Sequence, residues 1–317
     1  MPNISRPKIL FIVGVGRSGT TLLQSMIAAH GDFSVVPETS FFRRYVVPKT
    51  LQSSISDNGV DAARSLLLSD KFLERLELDI AAIFDEAVSA SADDLDASMY
   101  IRLLRAYAEK SGLMRFADKE PRAVESLPLI HDLWPDCKIL HIYRDPRDVL
   151  ASKKKAVWSR SGTAFRHVVA GRIQWYMSQR FKRQVGEGTY REIKYEELLD
   201  DPARELRSVC EWLGVEYRPE MLDFSSAAAG LISDDEYSWK KETTGPLLKS
   251  NHGKWKLELS QFEAVLAEQI NSDLINYGEY PKGPVRLMAK FLCFPAVVAA
   301  MAVAALYLAA NRSKIGS

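Results

Sequence analysis

The stretch from Lys8 to His30 admits few folds. Lys8 to Val13 reads as a short buried strand, Gly14-Val15-Gly16-Arg17-Ser18-Gly19 as a tight loop, and Thr20 to His30 as a helix that begins at the last glycine. A strand that passes through a glycine loop into a helix opens a parallel α/β unit. It also aims backbone N–H groups and the positive end of a helix at one point, an arrangement that binds anions.

The rest of the chain repeats the alternation. A second short strand is expected at Phe33 to Val36, then helical stretches between about Val60 and Gly112 with acidic, Ser- and Ala-rich joints, a helical insertion over about residues 57–113. A helical pattern from Glu120 to Trp134 leads to a strand at Lys138 to Tyr143, a Pro-containing turn, and a helix through Ser152 bearing Lys153, Lys154 and Lys155 on a solvated face. A long helix over Ala164 to Arg183, a strand near Arg191 to Tyr195, and a helix from Pro202 to Leu213 stopped by Gly214 complete the pattern. The fold class is therefore α/β, a P-loop-type three-layer fold with a central parallel sheet flanked by helices, as one domain over residues 1–284. With 47% hydrophobic residues the chain has apolar material for such a core.

Both ends carry information. Met1 to Lys8 is too short and polar for a signal peptide. Phe291 to Ala310 is uncharged, and its length at 1.5 Å per residue gives about 30 Å, one hydrocarbon thickness. A C-terminal hydrophobic helix over residues 287–310 is expected, as a transmembrane helix; its alanines and Pro295 leave a buried or oligomer-forming helix as the other reading. Cys137, Cys210 and Cys293 sit singly among apolar neighbours, which fits buried thiols in a reducing compartment. Lys plus Arg number 42 against 41 Asp plus Glu, so no nucleic-acid partner is expected and any anion site must be a local cluster.

Two such clusters stand out. The loop Gly14 to Thr21 has P-loop glycine spacing, but Thr20 stands where a lysine would reach the β and γ phosphates of a nucleoside triphosphate. Arg17 inside the loop supplies positive charge instead, suited to a nucleotide whose 5′-phosphate carries a reactive group. The second cluster, Tyr143 to Ser152, again lies where a strand ends and a helix begins, and Arg144 and Ser152 can converge on one anion. Asp145 there reads as a Mg²⁺ acid or, with Pro146 at the first helical position, as a helix cap. The flanking Arg144 and Arg147 would compete with a metal, so a second phosphate is the better ligand and no metal is expected.

With both motifs in this order, the sequence resembles the superfamily of sulfotransferases that use 3′-phosphoadenosine 5′-phosphosulfate (PAPS). The resemblance runs from Arg17-Ser18-Gly19-Thr20-Thr21-Leu22 through Arg144-Asp145-Pro146-Arg147-Asp148-Val149 with Ser152, then Lys194-Tyr195-Glu196-Glu197-Leu198, Trp212-Leu213-Gly214 and Gly253-Lys254-Trp255, most of residues 8 to 280. It implies that Arg17, Ser18, Gly19, Thr20 and Thr21 hold the 5′-phosphosulfate, that Arg144 and Ser152 hold the 3′-phosphate, and that no metal is used. In motif the chain is similar to bacterial and tyrosylprotein-type members, which implies that Glu38, of the pair Glu38-Thr39, is the general base. A carboxylate in a partly dry pocket has its pKa raised toward the working range; the plainer reading has Glu38 capping a helix at Phe41 and Phe42 or pairing with Arg43 or Arg44. Lys119, in Asp118-Lys119-Glu120-Pro121, matches a lysine that neutralises charge on the departing phosphate, or is a surface lysine beside acids. The resemblance also implies that Tyr195 and Trp255 flank the nucleotide with Lys254 on a phosphate, although such aromatics commonly serve the core. Gly253 departs from the hydroxyl residue of the tyrosylprotein branch, which weakens a peptide tyrosine as acceptor. His252 is the histidine closest to these motifs; the other four read as structural.

The expected activity is sulfuryl transfer from PAPS to a hydroxyl- or amine-bearing acceptor, carbohydrate or lipid-linked, by a cytoplasmic catalytic domain attached to a membrane through the C-terminal helix. The alternatives are a P-loop kinase or NTPase, and a non-catalytic nucleotide-binding membrane-anchored protein.

Overall fold

The computed structural model describes residues 9–156, 159, 161–275 and 284–310. Lys8, the segment before it, and residues 276–283, where the catalytic domain was expected to give way to the tail, lie outside the described residues.

Five strands, β1 (Ile9–Val13), β2 (Phe33–Val36), β3 (Arg115–Lys119), β4 (Lys138–Tyr143) and β5 (Tyr190–Lys194), pair in parallel in the order β2-β3-β1-β4-β5. All five residues of β1 are buried, so its apolar run does not alternate; it sits at the centre of a sheet covered on both faces. On one face Phe11 stacks with Tyr100 and Trp134, and Phe42 closes the cluster. On the other, Leu10 and Ile12 pack with Leu23 and Met26 of helix α1 (Thr20–Ala29) and with Leu198 and Leu206.

The helical layer differs from expectation in its start. It begins at Thr50 with the helices Thr50–Asn58, Val60–Leu68, Lys71–Glu74 and Ile80–Ser89, and ends with α2 (Leu95–Lys110). Asp96, buried, accepts from the backbone N–H groups of Leu51 and Gln52, so a side chain 45 residues away starts the Thr50 helix. Strand β3 was not anticipated, because three of its five residues are charged. The structure gives two of them partners in place: Asp118 accepts from the Tyr100 hydroxyl at 2.7 Å, and Lys119 meets Glu38. The region expected to be helical from Glu120 is a 3₁₀ turn, Pro121–Ser126, followed by the helix Leu127–Leu133.

Helices α3 (Pro146–Lys155), α4 (Ala164–Val185), α5 (Gln261–Ile270) and α6 (Pro284–Ala310) follow. The solvated lysine face expected on α3 holds only in part: Lys154 and Lys155 reach Glu263 and Glu258, but Lys153 is buried, and burial lowers its pKa to about 8. Tyr195 opens the helix Tyr195–Asp200 rather than ending β5. The three cysteines are buried and free. Along α6, Ala289, Cys293 and Ala300 are buried in one cluster with α4 and α5 residues, whereas Leu287, Phe291 and Leu306 are exposed. Leu287–Ala310, 24 residues whose most apolar 18 average a hydropathy of 2.3, is long and apolar enough to cross a membrane.

Candidate active site

Parallel strands deliver their C-terminal ends to one edge of a sheet, and ligands bind in the crevice there. The loop after β1 occupies the middle of that edge. At Gly14 an added Cβ would lie 2.4 Å from the carbonyl oxygen of Ile142, so β1 and β4 approach as only glycine permits. At Gly19, which caps α1 at φ +95°, a Cβ would lie 2.3 Å from the Tyr195 ring. Tyr195 therefore braces the loop from beneath. Arg17, also at positive φ, donates from Nε to the Ser152 hydroxyl at 2.9 Å. That bond joins the two sequence clusters 135 residues apart. Burial, then neighbouring Arg144, lowers the Arg17 pKa.

Arg144 lies over the Tyr195 ring at 4.3 Å and donates to the Asn251 carbonyl at 2.7 Å, while its Nε is buried with no hydrogen-bond partner. The buried Ser18 hydroxyl is equally unpartnered; it lines a small hollow behind the loop with Arg144, Lys153 and Trp175. Unsatisfied buried donors cost roughly 1–3 kcal/mol each, and an anionic ligand is a way to recover it. Asp145 caps α3 by accepting from the Arg147 N–H at 2.9 Å and pairs with the Arg147 side chain, which leaves it engaged as a cap. Among the described residues no group of three or more His, Cys, Asp or Glu is placed to hold a metal ion.

Asp148 accepts from the N–H groups of Gly253 and Trp255, at 2.6 and 2.9 Å, and so pins the segment 251–255 to α3. Trp255 packs beneath the Arg147 guanidinium at 3.9 Å and is buried; it does not line the cleft. Lys254 does, held by Glu242 at 3.1 Å, and Glu242 also accepts from Asn251. His252 is exposed.

Glu38 follows β2, and its carboxylate is bonded to Lys119 at the end of β3 and, at 3.2 Å, to Lys240. It does not cap a helix or pair with Arg43 or Arg44: Arg43 faces Glu120 at 3.5 Å and Arg44 binds Asp70. Burial alone would raise the Glu38 pKa, as the sequence suggests, but Lys119 and Lys240 override it and hold it at about 2. Lys119 is buried, so the surface reading of that residue fails. Thr39 accepts from the Phe41 N–H and shapes the turn after Glu38. Next to Lys119, burial raises Asp118 to about 6 and Glu120 to about 8. A cleft of about 780 Å³ gathers Arg17, Thr20, Thr21, Glu38, Lys119, Arg144, Ser152, Tyr195, Lys240 and Lys254. Lys240, Glu242 and Asn251 escaped sequence reasoning, since they lie in a stretch whose only local signal is mixed charge.

The fold is a parallel α/β sheet whose loops after β1 and β4 bring basic and hydroxyl side chains to one cleft. The chain belongs to the sulfotransferase family: the model of that family matches residues 7–219. It is 24% identical over 238 residues to a putative protein-tyrosine sulfotransferase of Caenorhabditis briggsae, covering 73% of this chain and 75% of the relative. It is 25% identical over 221 residues to protein-tyrosine sulfotransferase 2 of Gallus gallus, covering 68% of this chain but only 53% of that protein. The sulfotransferase domain of the Synechococcus PCC 7002 olefin synthase superposes with a TM-score of 0.56 at 19% identity, over 88% of this chain and 98% of that domain, which establishes the likeness of fold.

Proposed function

We propose that this chain moves a sulfuryl group from PAPS to a hydroxyl or amine acceptor, with residues 1–284 as the catalytic domain. The observation that carries the reading is the union of two unlike anion-binding clusters on one cleft: the Arg17 loop, and the Arg144–Ser152 corner bonded to it. Such a pair suits a nucleotide phosphorylated at both the 5′ and 3′ positions. The buried, unsatisfied Arg144 Nε fits an anion at that corner.

PAPS supplies a sulfuryl group on a good leaving phosphate. Arg17 and the amides of Ser18 to Thr21 hold the 5′ end, and Arg144 and Ser152 the 3′-phosphate, with Tyr195 and Lys254 beside them. Glu38 accepts the acceptor's proton as the new O–S or N–S bond forms. The S–O bond to the phosphate breaks with its electron pair leaving on 3′,5′-ADP, and Lys119 neutralises that charge. Positioning and charge carry the step, and no metal is assigned a part.

The acceptor is proposed to be carbohydrate or lipid-linked and membrane-proximal, because the apolar Leu287–Ala310 helix offers a C-terminal anchor that keeps the domain on the cytoplasmic face where PAPS is made. The relatives named protein-tyrosine sulfotransferases make a tyrosine peptide the competing acceptor. Calorimetry without metal tests the core of the reading: wild type should prefer 3′,5′-ADP over 5′-ADP and Mg·ATP, and Arg144→Ala should lose that preference. Tighter binding of Mg·ATP would replace the reading with a kinase. A screen of glycolipid, oligosaccharide and tyrosine-peptide acceptors with PAPS then separates the acceptor classes.

A further inference from the structure

Lys240 lies 202 residues from Glu38 in sequence, on the short helix Asp234–Lys240, and no motif points to it. Its side chain is nonetheless only 10% exposed, and it touches two carboxylates, Glu38 at 3.2 Å and Glu236 one helical turn back. Glu236 in turn lies 3.8 Å from Arg75 of the helical layer. Two lysines thus share one Glu38 oxygen, each arriving from a different element.

In the resting site Lys119 balances Glu38 and Lys240 has Glu236 as a partner of its own, so charge balance alone gives the contact between Lys240 and Glu38 no separate use. It acquires one during turnover. A Lys119 drawn onto the departing phosphate would divide its charge between that anion and Glu38, as Lys240 divides its own between Glu38 and Glu236, and so would hold Glu38 less firmly in the ionised form. A buried Glu38 deprived of its only cation would take up a proton and cease to be a base. We infer that Lys240 is a positioning residue for sulfuryl transfer: it keeps Glu38 ionised and aimed once Lys119 has turned to the nucleotide. The inference rests on the reading of the cleft as a PAPS site. The other charged groups around Glu38 reinforce the need: Asp118 and Glu120 beside Lys119, and Glu236 beside Lys240, are carboxylates that repel the Glu38 charge, and the nearby Arg43 is engaged by Glu120.

The test counts protons and needs no acceptor. 3′,5′-ADP, whose 5′-phosphate stands in for the leaving group, is titrated into the full chain near pH 6 in buffers of different ionisation enthalpy. Lys240→Met should take up more protons per nucleotide than wild type, by an amount approaching one, as Glu38 protonates on losing Lys119. Lys240→Arg should match wild type, and the Lys240→Met/Glu38→Gln double variant should lose the excess. Affinity for 3′,5′-ADP should stay within a few-fold throughout, which also certifies folding; Lys240→Gln carries the same test if Lys240→Met does not bind. Proton uptake by Lys240→Met equal to wild type overturns the inference and leaves the PAPS site standing. Failure of wild type to prefer 3′,5′-ADP overturns both.

Discussion

Arg144 meets three groups at once, the Tyr195 ring, the Asn251 carbonyl and the backbone oxygen of Arg17, so its guanidinium is held in place before any ligand arrives. A charged hydrogen bond to a preset donor contributes roughly 1.5–3 kcal/mol. Arg144→Ala should weaken 3′,5′-ADP by about ten- to a hundredfold while 5′-ADP changes little, read by calorimetry. Glu38→Gln should lower turnover by roughly 10²–10⁴-fold, the usual contribution of a general base, with PAPS binding nearly unchanged. Glu120 gives a prediction about stability. Its folded pKa, about 8, is raised above the ordinary carboxylate value by burial, so between those two values the native state holds a proton that the unfolded chain has lost. The Glu120 contribution to stability should therefore fall as pH rises from about 6.5 to 8, opposed at the lower end by His141, lowered to about 4 in the fold, and at the upper end by Lys153, lowered to about 8. Glu120→Gln should flatten that slope in thermal melts recorded across the window.

At the scale of elements, the loop after β1 is the piece least tolerant of change. Gly19→Ala places a methyl against the Tyr195 ring and forces a non-glycine residue to positive φ, a strain of about 1–2 kcal/mol before the collision is counted. The variant should melt several degrees lower and bind 3′,5′-ADP more weakly, since the loop and its brace move together. The same loop explains why so much of the site could be read without coordinates. Gly14 to Thr21 and Arg144 to Ser152 are contiguous, each at a strand–helix junction, and local chemistry identifies such segments. Strand β3 escaped because its charges are answered by Tyr100 and Glu38, partners 18 and 81 residues away that no window along the chain contains. Glu38 lines the cleft, but its electrostatics run opposite to the expectation, because burial is legible as an apolar neighbourhood whereas the approach of Lys240 is a fact of tertiary structure.

Over the whole molecule, α6 presents exposed Leu287, Phe291 and Leu306 away from the catalytic body. Truncation before Leu287 should move the protein from the membrane pellet to the supernatant while 3′,5′-ADP binding survives; cofractionation of both forms in the supernatant would remove the anchor. The sheet order carries a consequence in time. Central strand β1 pairs with β3 and β4, whose first residues are Arg115 and Lys138, so more than a hundred residues must follow it before either neighbour exists. At about 5–20 residues per second, a ribosome takes roughly 5–20 s to deliver β3 after β1 has been made. The phosphate loop is thus among the first parts synthesised and among the last to be useful, because Ser152 and Arg144 arrive later still. On the proposed reading, a nascent chain cannot hold the nucleotide, and only a finished domain can be stabilised by it.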